Sequence, residues 1–194
     1  MHIAIEGMDG AGKTSAAKEL AVRLGFEFVE KPMKYFTDFD GTMSNYLRMM
    51  EWLNEGPSKN LRAWFYGCGS ILTNVLYSGK NIITDRYLIS NYFWNCDGTN
   101  EDYYAALIRA ARIPEITVIL RASDETRKER ITGRDENDKD LKKTMGADES
   151  YAKMIHCANT YAMPYTVVDN SHMNLAQTVG YIECLLKTEG LIQL

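Results

Sequence analysis

The sequence predicts a single α/β domain over residues 1–194, with a parallel sheet of about five strands and helices packed on both faces. Three observations carry that prediction. Short apolar runs at 2–6, 26–29, 81–84, 116–120 and 165–168 take turns along the chain with segments of helical spacing. Within those runs polar and apolar residues do not alternate, as expected of strands buried on both sides. At 194 residues the chain is long enough to bury one substantial core and short for two.

The first run, 2–6, is far shorter than a membrane span or a secretory leader and carries Glu6, so it reads as a strand. Residues 13–24 set Ala16, Ala17, Leu20, Ala21 and Leu24 at helical spacing, and Gly25 is the stop. The strand at 26–29 ends in Glu30-Lys31-Pro32. Helices follow at 43–53 and 61–76, parted by Gly56-Pro57. The strand at 81–84 runs into Asp85-Arg86-Tyr87, and a helix at 102–112 leads through Pro114 to the strand at 116–120. Residues 124–131 form a helix with Ser123 as N-cap. The charged segment 133–146 is expected to be a short mobile lid. A helix at 149–160, the strand at 165–168 and a helix at 175–188 closed by Gly190 complete the chain.

Composition excludes several classes. A net charge of −4 argues against a large nucleic-acid-binding face, and no window approaches the ~20 apolar residues of a membrane helix. Cys68, Cys96, Cys157 and Cys184 are too scattered for a zinc site and read as reduced, mostly interior thiols of a cytoplasmic protein. His2, His156 and His172 fit no ligand cluster, so the metal expected is a magnesium ion carried by a nucleotide.

Gly7 to Thr14, GMDGAGKT, fits GxxxxGK[ST] at every required position, directly after a strand and opening a helix. This is the phosphate loop of a three-layer P-loop NTPase fold. Gly7, Asp9, Gly10, Ala11, Gly12 and Ser15 would line the anion nest, whose backbone N–H groups turn inward and are reinforced by the helix dipole. Lys13 would reach the β- and γ-phosphates of ATP, and Thr14 would hold magnesium. Glu30 and Asp85-Arg86 also fall at carboxyl ends of strands, where ligands gather in such sheets.

The loop has no arginine, yet phosphoryl transfer needs cationic stabilisation of the moving group. Arg127, Arg130 and Arg134 stand three and four residues apart, on one face of a helix running into the lid segment. The plainer reading is a solvated face paired with Glu125 and Glu129. Aromatic residues at 64–66 and 92–94 would stack on a base or pack in the core.

These residues resemble the thymidylate kinase family of nucleoside monophosphate kinases. The resemblance rests on IEGMDGAGKT, on SGKNIITDRYLIS, on IPEITVILRASDETRKERITGR and on PYTVVDNS, and it spans most of the chain outside residues 31–78. It implies transfer of the ATP γ-phosphoryl group to a deoxynucleoside monophosphate, dTMP to dTDP above all, by a homodimer that binds small nucleotides and neither nucleic-acid polymer nor membrane. It implies that Asp9 contacts the acceptor's 3′-hydroxyl, that Arg86 binds the phosphate being extended, and that Asp85 stands near the magnesium shell. Arg130 and Arg134 would act from the lid, and Ser90, Trp94 and Phe65 would lie near the acceptor sugar and base.

Two departures stand out. The family's Arg-Glu-Pro-Gly-Gly after the second strand reads Val29-Glu30-Lys31-Pro32-Met33 here, and the arginine of its Phe-x-x-x-Arg pattern is replaced by Gly69 after Phe65. The related deoxynucleoside kinases carry a glutamate at that strand end, and Glu30 would then take the proton of a nucleoside 5′-hydroxyl. A non-catalytic nucleotide-binding module is the reading from another class, although its Asn-Lys-x-Asp element is absent.

Overall fold

The structure, a computed structural model, describes residues 1–56, 58–135, 138, 141 and 146–193. Strands β1 (His2–Gly7), β2 (Glu27–Val29), β3 (Ile82–Asp85), β4 (Ile116–Arg121) and β5 (Tyr165–Asp169) form one parallel sheet in the order β2-β3-β1-β4-β5. Between and beyond them run α1 (Lys13–Leu24), α2 (Lys34–Thr37), α3 (Ser44–Glu55), α4 (Lys59–Leu76), α5 (Leu88–Asn95), α6 (Glu101–Ala110), α7 (Asp124–Thr132), α8 (Ala147–Thr160) and α9 (Leu175–Thr188).

Successive residues of a strand face opposite sides of the sheet, and here both sides are covered. Ile3 and Ile5 of β1, with Val118 and Leu120 of β4, meet Leu20 of α1 and Val179 and Ile182 of α9. Ala4 and Ile119 look the other way, toward Leu88 and Tyr92 of α5, Leu107 of α6 and Met154 of α8. That double burial explains the unbroken apolar runs of the sequence. Ile3 of β1 lies opposite Ile83 of β3 on one side and Ile116 of β4 on the other. The chain leaves β1 for β2 on one side of the sheet and leaves β4 for β5 on the other. The carboxyl ends of β1 and β4 therefore open a crevice between diverging connections.

Local signals act as the sequence suggests at several ends. Gly25 closes α1 in the left-handed conformation, donating to Ala21 and Val22. The Ser123 side chain accepts from Thr126 N at the start of α7, whereas the capping box of Asn174 and Gln177 on α9 was not anticipated. Other expectations need correction. α4 starts at Lys59 rather than 61 because the Ser58 side chain caps it, accepting from Leu61 N at 3.1 Å. The helix expected at 102–112 ends at Ala110, where the chain turns extended.

Neither α2 nor α5 was anticipated. α2 is a single short turn after Lys31, and α5 is buried on nearly every side, so no amphipathic stripe marks it. The thiols divide evenly: Cys96 and Cys157 are buried and Cys68 and Cys184 exposed, so the expectation of mostly interior cysteines is half right. Much of the lid expected at 133–146 lies outside the described residues, which there include 133–135, 138, 141 and 146.

Candidate active site

The phosphate loop joins the end of β1 to α1 in the crevice. Gly7 adopts φ 138°, and a Cβ there would sit 2.4 Å from the Leu120 carbonyl oxygen of β4. Gly10 has φ 81°, and its Cβ would sit 2.7 Å from the Arg127 carbonyl oxygen of α7. The glycines thus permit close approach to two neighbouring elements as well as the turn itself.

The loop's carbonyls are held by side chains, one from the loop itself and others from outside it. Lys13 Nζ donates to Met8 O at 2.7 Å, Arg127 Nε to Asp9 O at 2.8 Å, and Asn170 Nδ2 to Ala11 O at 2.9 Å. The Ala11 N–H donates to Met8 O at 3.2 Å within the loop, and the amides not engaged within the protein are left for a ligand. Arg127 is fully buried and also pairs with Asp124 at 2.9 Å, so the solvated-face reading fails for this residue. Its packing beneath the loop is the cause.

Arg130 donates to Ala11 O and Asn170 Oδ1 through Nη1 and to Asn170 O and Met173 O through Nη2. Its guanidinium ties the phosphate loop to the turn after β5. Arg134, beyond the end of α7 and 59% exposed, pairs with Asp138. Only Arg127 and Arg130 lie on α7, one buried and one bordering the cavity; Arg134, expected on the same helix face, falls in the turn beyond Gly133, where the helix has ended.

A cavity of about 420 Å³ opens over the loop. It brings together Asp9, Gly10, Gly12, Lys13, Thr14, Ser15, Arg86, Arg130 and Arg134 of the residues singled out from the sequence. Its far wall is Asn170, Met173, Asn174, Leu175 and Thr178, which the sequence reading missed. Their one signal was the polar turn Asp169-Asn170-Ser171 at the carboxyl end of the last strand, on the same edge as the other candidates.

Arg86 follows β3 with φ 68°, anchored by its N–H to Ile5 O at 3.0 Å. Its guanidinium pairs with the Asp9 carboxylate and donates to Ser90 Oγ at 3.2 Å. Asp9 is also 3.8 Å from Lys13 Nζ. Burial pushes the Lys13 ammonium down to about 7, the Arg86 charge adds to that, and Asp9, Asp85 and Glu6 oppose it.

Thr14 Oγ1 donates to Asp85 Oδ2 at 2.5 Å, while Asp85 Oδ1 is buried and without a hydrogen-bond partner among the described residues. A hydroxyl and an unsatisfied carboxylate oxygen beside a phosphate loop suit a hard cation with oxygen ligands, so the donor set fits magnesium.

The remaining candidates lie apart from the cavity lining. Ser90 is buried, its hydroxyl bonded to the fully buried Glu6. Glu30 is half-buried after β2, next to Lys31, which takes a left-handed φ of 49°. Phe65 on α4 stacks on Tyr46, with ring centres 6.4 Å apart. Burial raises the phenols of Tyr46 and Tyr66, and the charges of Arg62 and Arg86 oppose the rise at Tyr66. Tyr66 therefore lies within electrostatic reach of Arg86. Trp94 meets Phe93 edge-on at 4.7 Å and packs against the interior around α5.

The thymidylate kinase family model matches residues 5–177. A probable thymidylate kinase of Methanococcus vannielii is 28% identical over 138 residues, spanning 69% of this chain and 66% of that protein, just under two thirds of its length. The thymidylate kinase of Candida albicans has a similar structure, with a TM-score of 0.65 at 16% identity, covering 98% of this chain and 92% of the other. A deoxyadenosine kinase from M. mycoides with bound dCTP gives a TM-score of 0.58 at 21% identity, over 97% of this chain and all of the other. These two structures share the fold. The family match over most of the length places the chain in the thymidylate kinase family.

Proposed function

We propose that the protein transfers the γ-phosphoryl group of ATP to a deoxynucleoside monophosphate, dTMP to dTDP being the favoured case. The observation that carries this reading is a further cation: Arg86 lines the cavity together with Lys13, and both stand beside Asp9. A hydroxyl acceptor needs a base, whereas a monophosphate acceptor needs this extra positive charge.

In the proposed reaction the loop amides and Lys13 hold the donor's β- and γ-phosphates, Lys13 exchanging the Met8 carbonyl for phosphate oxygens. Arg86 binds the acceptor phosphate, and Asp9 accepts a hydrogen bond from the acceptor's 3′-hydroxyl. An acceptor phosphate oxygen forms the new P–O bond as the bond to the ADP oxygen breaks. Arg130 and Arg134 border the donor side and supply charge there. Thr14 and Asp85 would hold magnesium, which when bound neutralises charge on the β- and γ-oxygens.

A second reading rests on Glu30, which directly follows β2 in a segment that lacks the arginine of the monophosphate kinases; a deoxynucleoside kinase would use it as base. Incubation with ATP and magnesium against a panel of nucleosides and their monophosphates decides between them. Phosphorylation of monophosphates is expected, and phosphorylation of nucleosides alone would sink the first reading. Nucleotide binding without transfer to any acceptor would instead mark a binding module.

The protein is further proposed to act as a homodimer in the cytoplasm. Leu61, Trp64, Cys68, Ile71 and Val75 form an exposed seam along α4 at three- and four-residue spacing, which supports pairing of two copies. Four cysteines without disulfides support a reducing compartment.

A further inference from the structure

We propose that Glu6 is a positioning residue for the acceptor-side arginine, acting through Ser90, so that Ser90 serves Arg86 rather than donating to the acceptor sugar. This deepens the monophosphate kinase reading and rests on it.

Glu6 lies on β1 just before the phosphate loop and is wholly buried. A carboxylate in the interior is tolerated where donors use its oxygens. Its partners come from one turn of chain. Oε1 accepts from Tyr87 N at 2.8 Å and from Ser90 N at 3.1 Å, and Oε2 accepts from the Ser90 hydroxyl. These donors open α5, whose N-cap residue Tyr87 makes no side-chain capping bond of its own among the described residues. Glu6 therefore caps α5 from the neighbouring strand.

The turn so fixed follows directly on Arg86, a non-glycine residue held in the left-handed region. Ile5 O takes the Arg86 N–H, and Glu6, the next residue on β1, takes the Tyr87 N–H. Two consecutive residues of β1 thus hold the backbone on either side of the Arg86 α-carbon. Ser90 then completes a relay. Its hydroxyl donates to Glu6 and accepts from Arg86 Nη1, which turns the guanidinium toward Asp9 and the cavity. Glu6 thus sets both the backbone and the side-chain direction of the phosphate-binding cation. Ser90 therefore has no hydroxyl proton left to donate to the acceptor sugar, since its one proton goes to Glu6.

The test uses the full chain as Ser90→Ala, Ser90→Thr, Glu6→Gln and Arg86→Ala, together with the double variant Ser90→Ala/Arg86→Ala. Ser90→Ala should raise the KM for the monophosphate about tenfold and leave the KM for ATP unchanged, because it removes one hydrogen bond to a charged group. Ser90→Thr should restore the wild-type value, and Ser90→Ala should add nothing once Arg86 is alanine. A full Ser90→Ala effect in the Arg86→Ala background would overturn the relay and return Ser90 to the sugar. Crystal structures of Ser90→Ala and Glu6→Gln give a readout independent of turnover. Arg86 should turn away from Asp9 in both, and an unmoved Arg86 in both would overturn the proposal whatever the substrate. Wild-type transfer to nucleosides alone would remove the monophosphate reading, while the crystallographic comparison would still decide the role of Glu6.

Discussion

Lys13 shows how far a single residue's surroundings shape its chemistry. Its ammonium is buried against the Met8 carbonyl and lowered to about 7, well under the ordinary lysine value. A base lowered on folding binds fewer protons in the native state than in the unfolded one between those two values. Its burial therefore costs stability most below about pH 7, and the cost fades as pH rises toward the unfolded value. Phosphate oxygens reverse the balance and restore the charge. Binding of ATP at about pH 8.5 should accordingly take up close to one proton, read by calorimetry in buffers of different ionisation heat. Lys13→Ala should abolish that uptake and lower kcat by about a thousandfold. Proton-neutral binding by the wild-type protein would refute the burial argument, and retained turnover in the variant would refute the phosphate-loop role.

At the scale of elements, α7 and the turn that follows it separate their arginines by depth, and that division can be measured. Arg130 spends its guanidinium on carbonyls of the phosphate loop and the turn after β5, so Arg130→Ala should lower both kcat and thermal stability. Arg134 is largely exposed, and Arg134→Ala should lower kcat by about a hundredfold while Tm stays within a degree or so of wild type. Wild-type kcat in both variants would return the pair to plain surface. The packing of α4 on α6 offers a second check. A Cβ on Gly67 would lie 1.8 Å from the Tyr103 hydroxyl, which donates to Ala63 O at 2.6 Å. Gly67→Ala should destabilise by about 1–3 kcal/mol in urea titration, and an unchanged midpoint would contradict the close approach.

The elements also show what a sequence displays and what it hides. α1 was legible because its small and apolar residues line one face and Gly25 ends it. α5 was not, because burial on nearly all sides leaves no contrast along LISNYFWN. The spacing of Arg127 and Arg130 showed that they share a face, but the loop lying on that face comes from β1, over a hundred residues earlier. Ser90 was read as a residue near the acceptor sugar, while its bond to Glu6 depends on β1 and β3 being neighbours. Asn170 was missed for the same reason: its partner, the Ala11 carbonyl, belongs to a loop 159 residues away in sequence. Local chemistry was visible, and contacts set by sheet order were not.

For the whole molecule, the two-sided sheet buries its apolar surface and yet leaves the α4 seam outside. Trp64 is 58% and Val75 70% exposed, unusual for such side chains within one helix. If two copies pair there, Trp64→Glu with Val75→Lys should give a monomer in sedimentation velocity at concentrations where the wild type is a dimer. A monomeric wild type at about 100 μM would remove the homodimer, since stable dimers of proteins form well below that concentration.

The buried Arg127 beneath the phosphate loop carries one more consequence, for portability. GMDGAGKT looks like a self-contained cassette, but two of its carbonyls are bonded by side chains from α7 and the turn after β5. Transplanted into another strand–turn–helix unit without those partners, the octapeptide would keep its glycines and its lysine and lose the scaffold that aims its amides. An anion site of this kind is inherited as a neighbourhood and cannot be moved as a word.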